Sequence, residues 1–435
     1  MRVSKLITIV VLIFSVSHSF AQNLAVGGKI YDLTTNEGIP FATVHINGTS
    51  IGTCTNLEGE FLLKIPSEFM EGQVFISSMG FELEQLAIRE STGKSLNVGL
   101  KPSITQLETV TIRPISAQDY IARSVAKFSS NYGREFSANA YYRQQSTDFG
   151  DPLQFSEGYM QAYFSDFLDD TTEIDQRLLL LDVEDNLDQM KFRKKKREKK
   201  FEKAKKLAAK NEAEFDADSA RSEARKVRID LITPDVLMDQ DPVRQLESFF
   251  DSTKFKKFNY TFENDITYRG KRVTVISFQS KGKVKLINVG LKGDLVGTIY
   301  VDQESEAIIG VDYDSEMVLP ALAKPIIFLT GYEFSNPVIR SKVRYLQVGD
   351  KWFPQSIQMD MDLDLTKRYW FKKNEKSSIE VDLLMSVSNI ESRNPIRIPE
   401  EFRFTRKKKF EEQVFPTTDS SWEEVNRIAI EQIEE

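Results

Sequence analysis

The sequence predicts a mainly β protein in which a small N-terminal β-sandwich precedes a larger α+β domain built on an antiparallel sheet. Three observations carry this prediction. Apolar and polar residues alternate between glycine turns over residues 38–65, seven alternating segments with short turns follow Pro242, and helical periodicity is confined to a few stretches. A period of two residues is typical of half-buried strands, whereas the side chains of a helix repeat about every 3.6 residues.

Residues 1–21 have the features of a cleavable secretory signal. Arg2 and Lys5 precede an apolar run from Leu6 to Phe14, and Ser19-Phe-Ala21 places small residues at the expected cleavage site. The apolar run is shorter than the ~20 residues that a membrane-spanning helix needs. We therefore expect an exported protein that starts near Gln22 and lies in the periplasm or is associated with the outer membrane.

The charge and the size of the exported chain limit its function classes. Removing the signal takes two of the 58 basic residues and leaves 56 against 65 acidic ones, a net charge near −9. An acidic exported protein is not suited to binding nucleic acid. The remaining residues, about 414 in number, predict two or three domains.

The N-terminal alternation surrounds two turn sequences, Asn47-Gly48 and Asn56-Leu-Glu-Gly59. Glycine reverses the chain there because it reaches positive φ without a Cβ clash. Short strands with one buried face, as in a β-sandwich, are therefore predicted. The apolar positions are Ala42, Val44, Ile46, Phe61, Leu63 and Ile65.

The order of these residues resembles the carboxypeptidase-regulatory-like (prealbumin-like) domain of Gram-negative, Bacteroidetes-type envelope proteins, over residues 24–112. Gly28-Lys-Ile-Tyr-Asp32 fits the opening strand, the stretch from Gly38 to Pro66 fits the central motif, and Ser78-Met-Gly80-Phe81 and Leu96-Asn-Val-Gly-Leu100 fit the later signatures. The resemblance implies an accessory sandwich, which in peptidases lies beside the catalytic domain.

Histidine content argues against peptidase activity. A zinc peptidase needs at least two histidines and a carboxylate around the metal. His18 leaves with the signal, so only His45 remains. We predict no enzymatic activity, no cofactor, no metal site and no catalytic residue, and the sequence identifies no ligand-binding residue. The alternation places His45 on the outward face of a strand, as a surface residue or, alternatively, as a ligand contact.

Cys54 is the single cysteine of the chain, which excludes an intramolecular disulfide. Because cysteine packs as a small apolar residue, we expect it to be buried in a strand.

The second domain is predicted to span residues 116–435, after an exit strand at 109–114. Ser116 is a candidate cap for an amphipathic helix that buries Ile121, Val125, Phe128 and Tyr132 and ends at Gly133. The aromatic-rich alternation from Phe136 to Phe167 predicts strands whose rings fill a core, with a ligand cleft as the alternative.

Residues 185–226 predict a charged helical insertion. Lys191 to Lys210 contains twelve basic residues, and the acidic stretch from Glu212 to Asp218 then reverses the sign. The absence of Gly and Pro favours a long exposed helix. A solvated insertion and a segment that attracts anionic lipid head groups, at ~1 kcal/mol per basic residue, are both compatible with this composition.

Seven alternating segments then predict an antiparallel meander, because their connections are too short for parallel crossovers. The segments are Phe255–Tyr268, Val273–Phe278, Val296–Asp302, Ile308–Tyr313, Val338–Val348, Phe353–Leu365 and Ile379–Asn389. The layout of a helix followed by a broad sheet resembles the half-barrel of periplasmic lipoprotein carriers, on Tyr268–Phe278, Gly297–Asp302 and Ile308–Asp312. That resemblance implies an apolar face able to shelter an acyl chain or a peptide.

Asp360, Asp362 and Asp364 alternate along one predicted strand. They could collect Ca²⁺, but the glycine turn and distal glutamate of a calcium loop are missing from the sequence. We expect a solvent-facing row opposite buried Met359, Met361, Leu363 and Leu365.

Two further stretches of the chain carry apolar residues in distinctive patterns. Val318 to Leu329 is the most apolar part of the exported chain, and its prolines exclude an ordinary spanning helix. It predicts a buried connection or a hydrophobic lip at a cavity or membrane surface. Asp419 or Ser420 is a candidate cap for a final docking helix that presents Trp422, Val425, Ala429 and Ile433 on one side.

Together these features predict a non-catalytic exported envelope protein whose sandwich binds a protein or glycan partner. The alternative is a carrier or sensor of a lipid or lipoprotein-like amphiphile in the C-terminal sheet, and peripheral contact with a membrane stays open. A hydrolase is disfavoured because no histidine is available to activate a serine or Cys54.

Overall fold

The computed structural model describes residues 24–103, 113–168, 174–185, 202–203, 205–207, 210, 234–238, 240–245, 250–286, 292–318, 331–369, 371, 373–405, 408, 410–418 and 420–428. The predictions for the signal segment, the exit strand and the apolar stretch at 319–329 fall almost wholly outside these residues. Of the predicted charged insertion, the described residues 202–203, 205–207 and 210 are helical. In the described part of the chain, no helix is both long enough and apolar enough to cross a membrane.

Two small sheets form the N-terminal sandwich. Its elements are β1 (Leu24–Asp32), β2 (Thr43–Ile46), β3 (Gly52–Cys54), β4 (Glu60–Ile65), β5 (Gln73–Ser77), β6 (Glu84–Ala87), the short helix α1 (Ile88–Ser91) and β7 (Ser95–Leu100). One sheet has the order β4-β1-β7 and the other β3-β2-β5-β6. The apolar residues of the predicted alternation, among them Val44, Ile46 and Leu63, are buried between the two sheets.

The turn predicted at Asn56–Gly59 has the expected chemistry. Gly59 has φ +83°, and a Cβ there would lie 2.2 Å from the carbonyl oxygen of Ile30. The side-chain oxygen of Asn56 accepts a hydrogen bond of 2.7 Å from the backbone N–H of Glu60. Only glycine fits this position, which explains why the turn motif requires it.

The second domain opens with the predicted amphipathic helix, here divided into α2 (Ala117–Ala126) and α3 (Phe128–Asn131). The Ser116 hydroxyl oxygen accepts a 3.1 Å hydrogen bond from the N–H of Asp119 and caps α2. Ile121, Phe128 and Tyr132 are buried, as the sequence pattern predicts.

The large sheet contains the remaining strands, all paired antiparallel. They are β8 (Phe136–Asp148), β9 (Asp151–Phe164), β10 (Ile174–Asp185), β11 (Phe258–Phe262), β12 (Ile266–Tyr268), β13 (Lys271–Ser280), β14 (Val284–Lys285), β15 (Lys292–Asp302), β16 (Ile308–Val318), β17 (Tyr332–Phe334), β18 (Val338–Val348), β19 (Lys351–Lys367) and β20 (Glu375–Glu391); the short helix α4 (Pro234–Met238) precedes β11. The main order is β10-β9-β8-β20-β19-β18-β16-β15-β13-β11. The meander prediction is confirmed.

One face of this sheet, the helix-covered face, packs against α2, α3, α4 and residues 240–245 and 250–255. Its aromatic rings pack closely: Phe136 stacks on Phe164 with ring centroids 4.3 Å apart, and Phe128 meets Phe250 edge-on at 5.8 Å. The Tyr132 hydroxyl donates a 2.5 Å hydrogen bond to the carbonyl of Ile308. The aromatics of β8 and β9 that lie on this face therefore belong to a core.

The opposite, sandwich-covered face carries the N-terminal domain. Thr43 of β2 pairs with Cys54 of β3 and with Ser77 of β5, so these three side chains share one face of the four-stranded sheet. Cys54 packs there with Tyr141, Tyr159 and Leu384 of the large sheet. The sandwich is therefore docked face-on against the large sheet.

The prediction of a final helix is wrong in the described residues, because residues 422–425 form turns. Tertiary hydrogen bonds replace the helical ones. The Lys64 ammonium donates to the carbonyls of Trp422 and Glu423, and the Asn426 side chain accepts from the Lys64 N–H at 2.6 Å and donates to its carbonyl at 3.3 Å.

Residues 413–418 and 420–428, together called the C-terminal strap, connect the two domains. Val414 forms a parallel bridge with Leu178 at the edge strand β10. Val425 and Ile428 are buried between the sandwich and the large sheet. The docking role predicted for this segment is thus retained without a helix.

Candidate ligand-binding cleft

A cleft of about 370 Å³ lies where the sandwich meets the large sheet. The sandwich contributes the turn at Pro40–Phe41 and residues 77–80, which include the motif Ser78-Met-Gly80. The sheet contributes apolar and polar side chains, including Ile266, Tyr268, Leu384, Asp312, Lys342 and Arg344. A cleft of mixed lining between two domains is a usual place for a small-molecule site.

The alternation of neighbouring strands places the polar residues in the cleft. Asp312 of β16 lies opposite Lys342 of β18, and Arg344 of β18 lies opposite Ser356 of β19. The intervening Val311, Val343 and Ile357 are buried in the core of the helix-covered face. Because successive side chains of a strand point to opposite faces, a polar row on one side accompanies the apolar row on the other.

Arg344 is neutralised by its neighbours. Its Nη1 donates a 2.5 Å hydrogen bond to Asp312 Oδ1, and the Tyr300 hydroxyl donates to Asp312 Oδ2 at 3.2 Å. Burial alone would lower the pKa of Arg344, but the Asp312 carboxylate raises it above its ordinary value. Burial, with the charge of Asp312 second, raises the pKa of Tyr300 to about 12. The three groups form a fixed, charge-balanced wall.

Lys342 is compensated less completely, because the Asp360 carboxylate interacts with it electrostatically but forms no ion pair with it. Its side chain is exposed in the cleft, and it makes no hydrogen bond or ion pair with any described residue. The side chains of Asn264 and Ser78, also in the lining, have no hydrogen-bond partner among the described residues either. The cleft therefore offers one ammonium group and neutral donors beside an apolar wall.

Arg269 fixes the relative position of the two walls. Its Nε donates to Ser77 Oγ at 2.9 Å, and its Nη2 donates to Gln355 Oε1 at 2.8 Å. Arg269 and Gly270 have φ of 51° and 74° in the turn between β12 and β13, where the sequence predicts a turn. One hairpin side chain thus connects the sandwich to the sheet.

The prediction that His45 lies on the surface is wrong, since only 4% of the residue is exposed. The strand alternation is correct, but the outward face of β2 is covered by the large sheet. The ring lies edge-on to Phe75 with centroids 5.9 Å apart. Burial, assisted by the charge of Arg269, lowers the pKa of His45 to about 3. His45 is absent from the cleft lining and is a neutral interface residue.

Cys54 is fully buried, as predicted, and burial raises the pKa of its thiol to about 11. Within the described ranges, no group of three or more His, Cys, Asp or Glu residues could hold a metal ion.

In the aspartate row of β19, Asp362 pairs with Arg340 at 2.6 Å, Asp364 is exposed, and Asp360 is half-buried, which raises its pKa. Met359 and Leu365 are buried opposite, while Met361 and Leu363 are half-buried. The negative charge of this row on β19 is therefore partly balanced by basic side chains of the neighbouring strand β18.

The helix-covered face is occupied by residues 240–245 in addition to the helices. The Tyr345 hydroxyl donates a 2.5 Å hydrogen bond to Asp241, and the Arg244 guanidinium lies 5.2–5.3 Å from the ring centroids of Phe136, Phe164 and Phe167. Burial lowers the pKa of Arg244 to about 10. This region is a packed polar and aromatic core.

Sequence reasoning missed the cleft residues Lys342 and Arg344. A signal exists in the sequence: Arg340, Lys342 and Arg344 occupy alternate positions of one segment, and Asp312, Asp314 and Glu316 do the same in the preceding one. Opposite charges on facing strands favour pairing, so the two segments could have been aligned. The cleft itself depends on the docking of the sandwich, which no local pattern shows.

Comparison with known proteins agrees with the N-terminal resemblance. Residues 26–112 match the model of the CarboxypepD_reg-like domain family. The description names a regulatory-like domain and not a peptidase. No curated protein matches the chain.

Two solved structures are similar at low identity. The crystal structure of a DUF1329 family protein from Desulfovibrio piger is 9% identical, with a TM-score of 0.27, over 65% of this chain and 96% of that one. A LolA superfamily protein from Nitrosomonas europaea is 8% identical, with a TM-score of 0.25, over 67% and 98% of the two chains.

Proposed function

We propose that this protein is a non-catalytic binding protein of the cell envelope, and that the cleft between sandwich and sheet holds a small anionic, partly apolar ligand. The observation that carries the proposal is the exposed Lys342, which makes no hydrogen bond or ion pair with a described residue, in a cleft whose other charged side chains, Asp312 and Arg344, pair with each other. Export is proposed from the features of residues 1–21.

The lining defines the ligand chemistry. An ammonium group is a point charge that binds a carboxylate without demanding bidentate geometry. Asn264 and Ser78 supply neutral donors next to it, while Tyr268, Ile266 and Leu384 offer apolar surface. A carboxylate-bearing fragment with an apolar portion, from a peptide or from an acidic glycan, fits this combination.

Isothermal titration calorimetry tests the proposal with two sets of probes. The peptide set consists of N-acetylated dipeptides with a free C-terminal carboxylate and the same dipeptides as amides. The glycan set consists of disaccharides that contain a uronic acid and their neutral counterparts. We expect one of the carboxylate sets to bind and its uncharged counterpart to bind about tenfold more weakly, since a hydrogen bond to a charged group contributes roughly 1.5–3 kcal/mol.

Variants locate the site. Lys342→Met keeps the side-chain stem and removes the charge, so it should weaken binding about tenfold. Lys292→Met, at another exposed lysine of the sheet that does not line the cleft, is the matched control. Equal affinities of both variants and the unchanged protein, or no binding of any probe, would contradict the proposal.

A further inference from the structure

Two chain reversals and the short strand β17 meet at one end of the large sheet and carry aromatic rings. Phe149 lies in the turn between β8 and β9, Phe371 lies in the connection between β19 and β20, and Tyr332 and Phe334 lie on β17. We call these four residues the aromatic rim. It lies on strands other than those that bring Lys342 and Arg344 into the cleft.

Strand register brings the rim together. The N–H of Phe149 donates to the carbonyl of Ser378, near the start of β20, at 2.9 Å. Lys367 at the end of β19 lies opposite both Glu375 of β20 and Tyr332 of β17. The two turns and β17 therefore lie on neighbouring strands at the same end of the sheet.

The three phenylalanine rings of the rim face solvent, while Tyr332 is half-buried. Phe371 is 100% exposed, Phe149 65% and Phe334 36%. Phe149 also has φ 54°, a left-handed conformation that is rare for a bulky residue and better suited to Asn or Gly. Nothing in the local turn geometry requires a phenyl ring at this position.

Basic side chains accompany the rings. The Lys367 ammonium lies 3.8 Å from the Tyr332 ring centroid, and Arg368 pairs with Glu333 at 2.5 Å. Lys373 and Lys376 are exposed and make no ion pair with a described residue. The β8–β9 side of the rim carries the opposite charge, at the exposed Asp151 and at Asp148, whose carboxylate accepts from the Ser378 N–H. The positive charge is thus concentrated around Phe371.

We propose that the aromatic rim docks the protein on the surface of a bilayer that contains anionic phospholipid. Aromatic rings prefer the interface between head groups and acyl chains, and lysines beside them interact with anionic head groups while their stems cover apolar surface. Separate projecting turns suit insertion between head groups. The rim supplies both the rings and the positive charge that such a surface selects.

Vesicle sedimentation tests this with the whole exported chain. The vesicles contain either phosphatidylethanolamine and phosphatidylglycerol in equal parts or phosphatidylcholine alone. We expect binding to the first, weaker binding to the second, and loss of the difference at high salt, because screening weakens exposed charge interactions. Absence of binding to the anionic vesicles would overturn the proposal.

The variant Phe149→Asn with Phe371→Ser should lower the partition coefficient at least tenfold, and Asn tolerates the backbone of residue 149. Lys373→Glu with Lys376→Glu should abolish the preference for anionic vesicles. Leu33→Ser with Ile396→Ser, at residues 55% and 68% exposed outside the rim, should change nothing. Equal loss in this control would overturn the proposal. So would rim variants that change self-association in sedimentation velocity but not vesicle binding, since the rim would then be a contact between copies of the chain.

Discussion

At the scale of single residues, a neutral imidazole buried between two sheets makes stability depend on pH. The pKa of His45 is lowered to about 3 in the folded protein, whereas an unfolded histidine has a pKa near ~6.5. Between these values the unfolded chain binds a proton that the folded chain does not, so stability rises with pH in this window. The contribution of His45 is complete above about pH 6.5 and is lost as the pH falls toward 3.

We predict that replacing His45 by Phe removes part of the acid sensitivity. The unchanged protein should lose about 3 kcal/mol more free energy of unfolding than the variant between pH 7 and pH 4.5, because two pH units at ~1.4 kcal/mol each separate pH 4.5 from the unfolded pKa. Urea denaturation at both pH values measures the difference. Equal losses of free energy of unfolding in the two proteins would show that His45 can be protonated in the folded protein without destabilising it.

At the scale of elements, the C-terminal strap shows how side chains can replace helical hydrogen bonding. Trp422 and Val425 have the three-residue spacing of a helix face, yet Asn426 and Lys64 bond across 362 positions of sequence instead. Sequence periodicity identified the apolar contacts of this segment but not its backbone. Helix propensity is a weak preference that tertiary contacts override.

We predict that Asn426→Ala destabilises the protein by about 1–3 kcal/mol, because the N–H of Lys64 loses its acceptor in the interface. Thermal unfolding gives the change. Asn394→Ala, at an exposed asparagine whose side chain has no hydrogen-bond partner among the described residues, is the control and should stay within ~0.5 kcal/mol. An Asn426→Ala variant with unchanged stability would mean that a water molecule replaces the side-chain acceptor of Asn426.

Most strands could be predicted because the alternation of apolar and polar residues within each segment is enough to identify it as a strand. The segment Val338–Val348 coincides with β18, and Ser116 caps its helix as expected. His45 and the cleft could not be predicted for one shared reason. Both depend on which face of the sandwich is covered by distant parts of the chain, as where Arg269 meets Ser77 across 192 positions. Alternation distinguishes two faces without saying what lies against them.

At the scale of the whole molecule, the interface makes the two domains unfold together. Arg269 connects Ser77 to Gln355, and Arg427 pairs with Glu157 at 3.1 Å while its carbonyl accepts from Thr53. Contacts that span both domains add their free energy only when both are folded. Cooperative unfolding is the consequence.

Scanning calorimetry should therefore show one transition for the unchanged protein. Arg269→Ala removes one hydrogen bond across the interface, to Ser77, and one within the large sheet, to Gln355, at roughly 1.5–3 kcal/mol each because the donor is charged. We therefore expect the transition to broaden or divide in two. Arg89→Ala, which removes an exposed pair with Glu71, should keep a single transition. If Arg269→Ala also unfolds in one step at an unchanged temperature, the hairpin does not couple the domains.

The strap also imposes an order on folding during synthesis. The hydroxyl of Thr53 bonds to the carbonyl of Arg427, 374 positions later, so the docked face of the sandwich cannot be closed until that distant stretch has emerged. Until the strap has been synthesised, Cys54 and Tyr141 stay exposed to solvent. Contacts between residues so far apart in the sequence also form slowly. For a chain synthesised from its N-terminus, the single thiol of Cys54 is vulnerable to oxidants during this interval and is shielded afterwards.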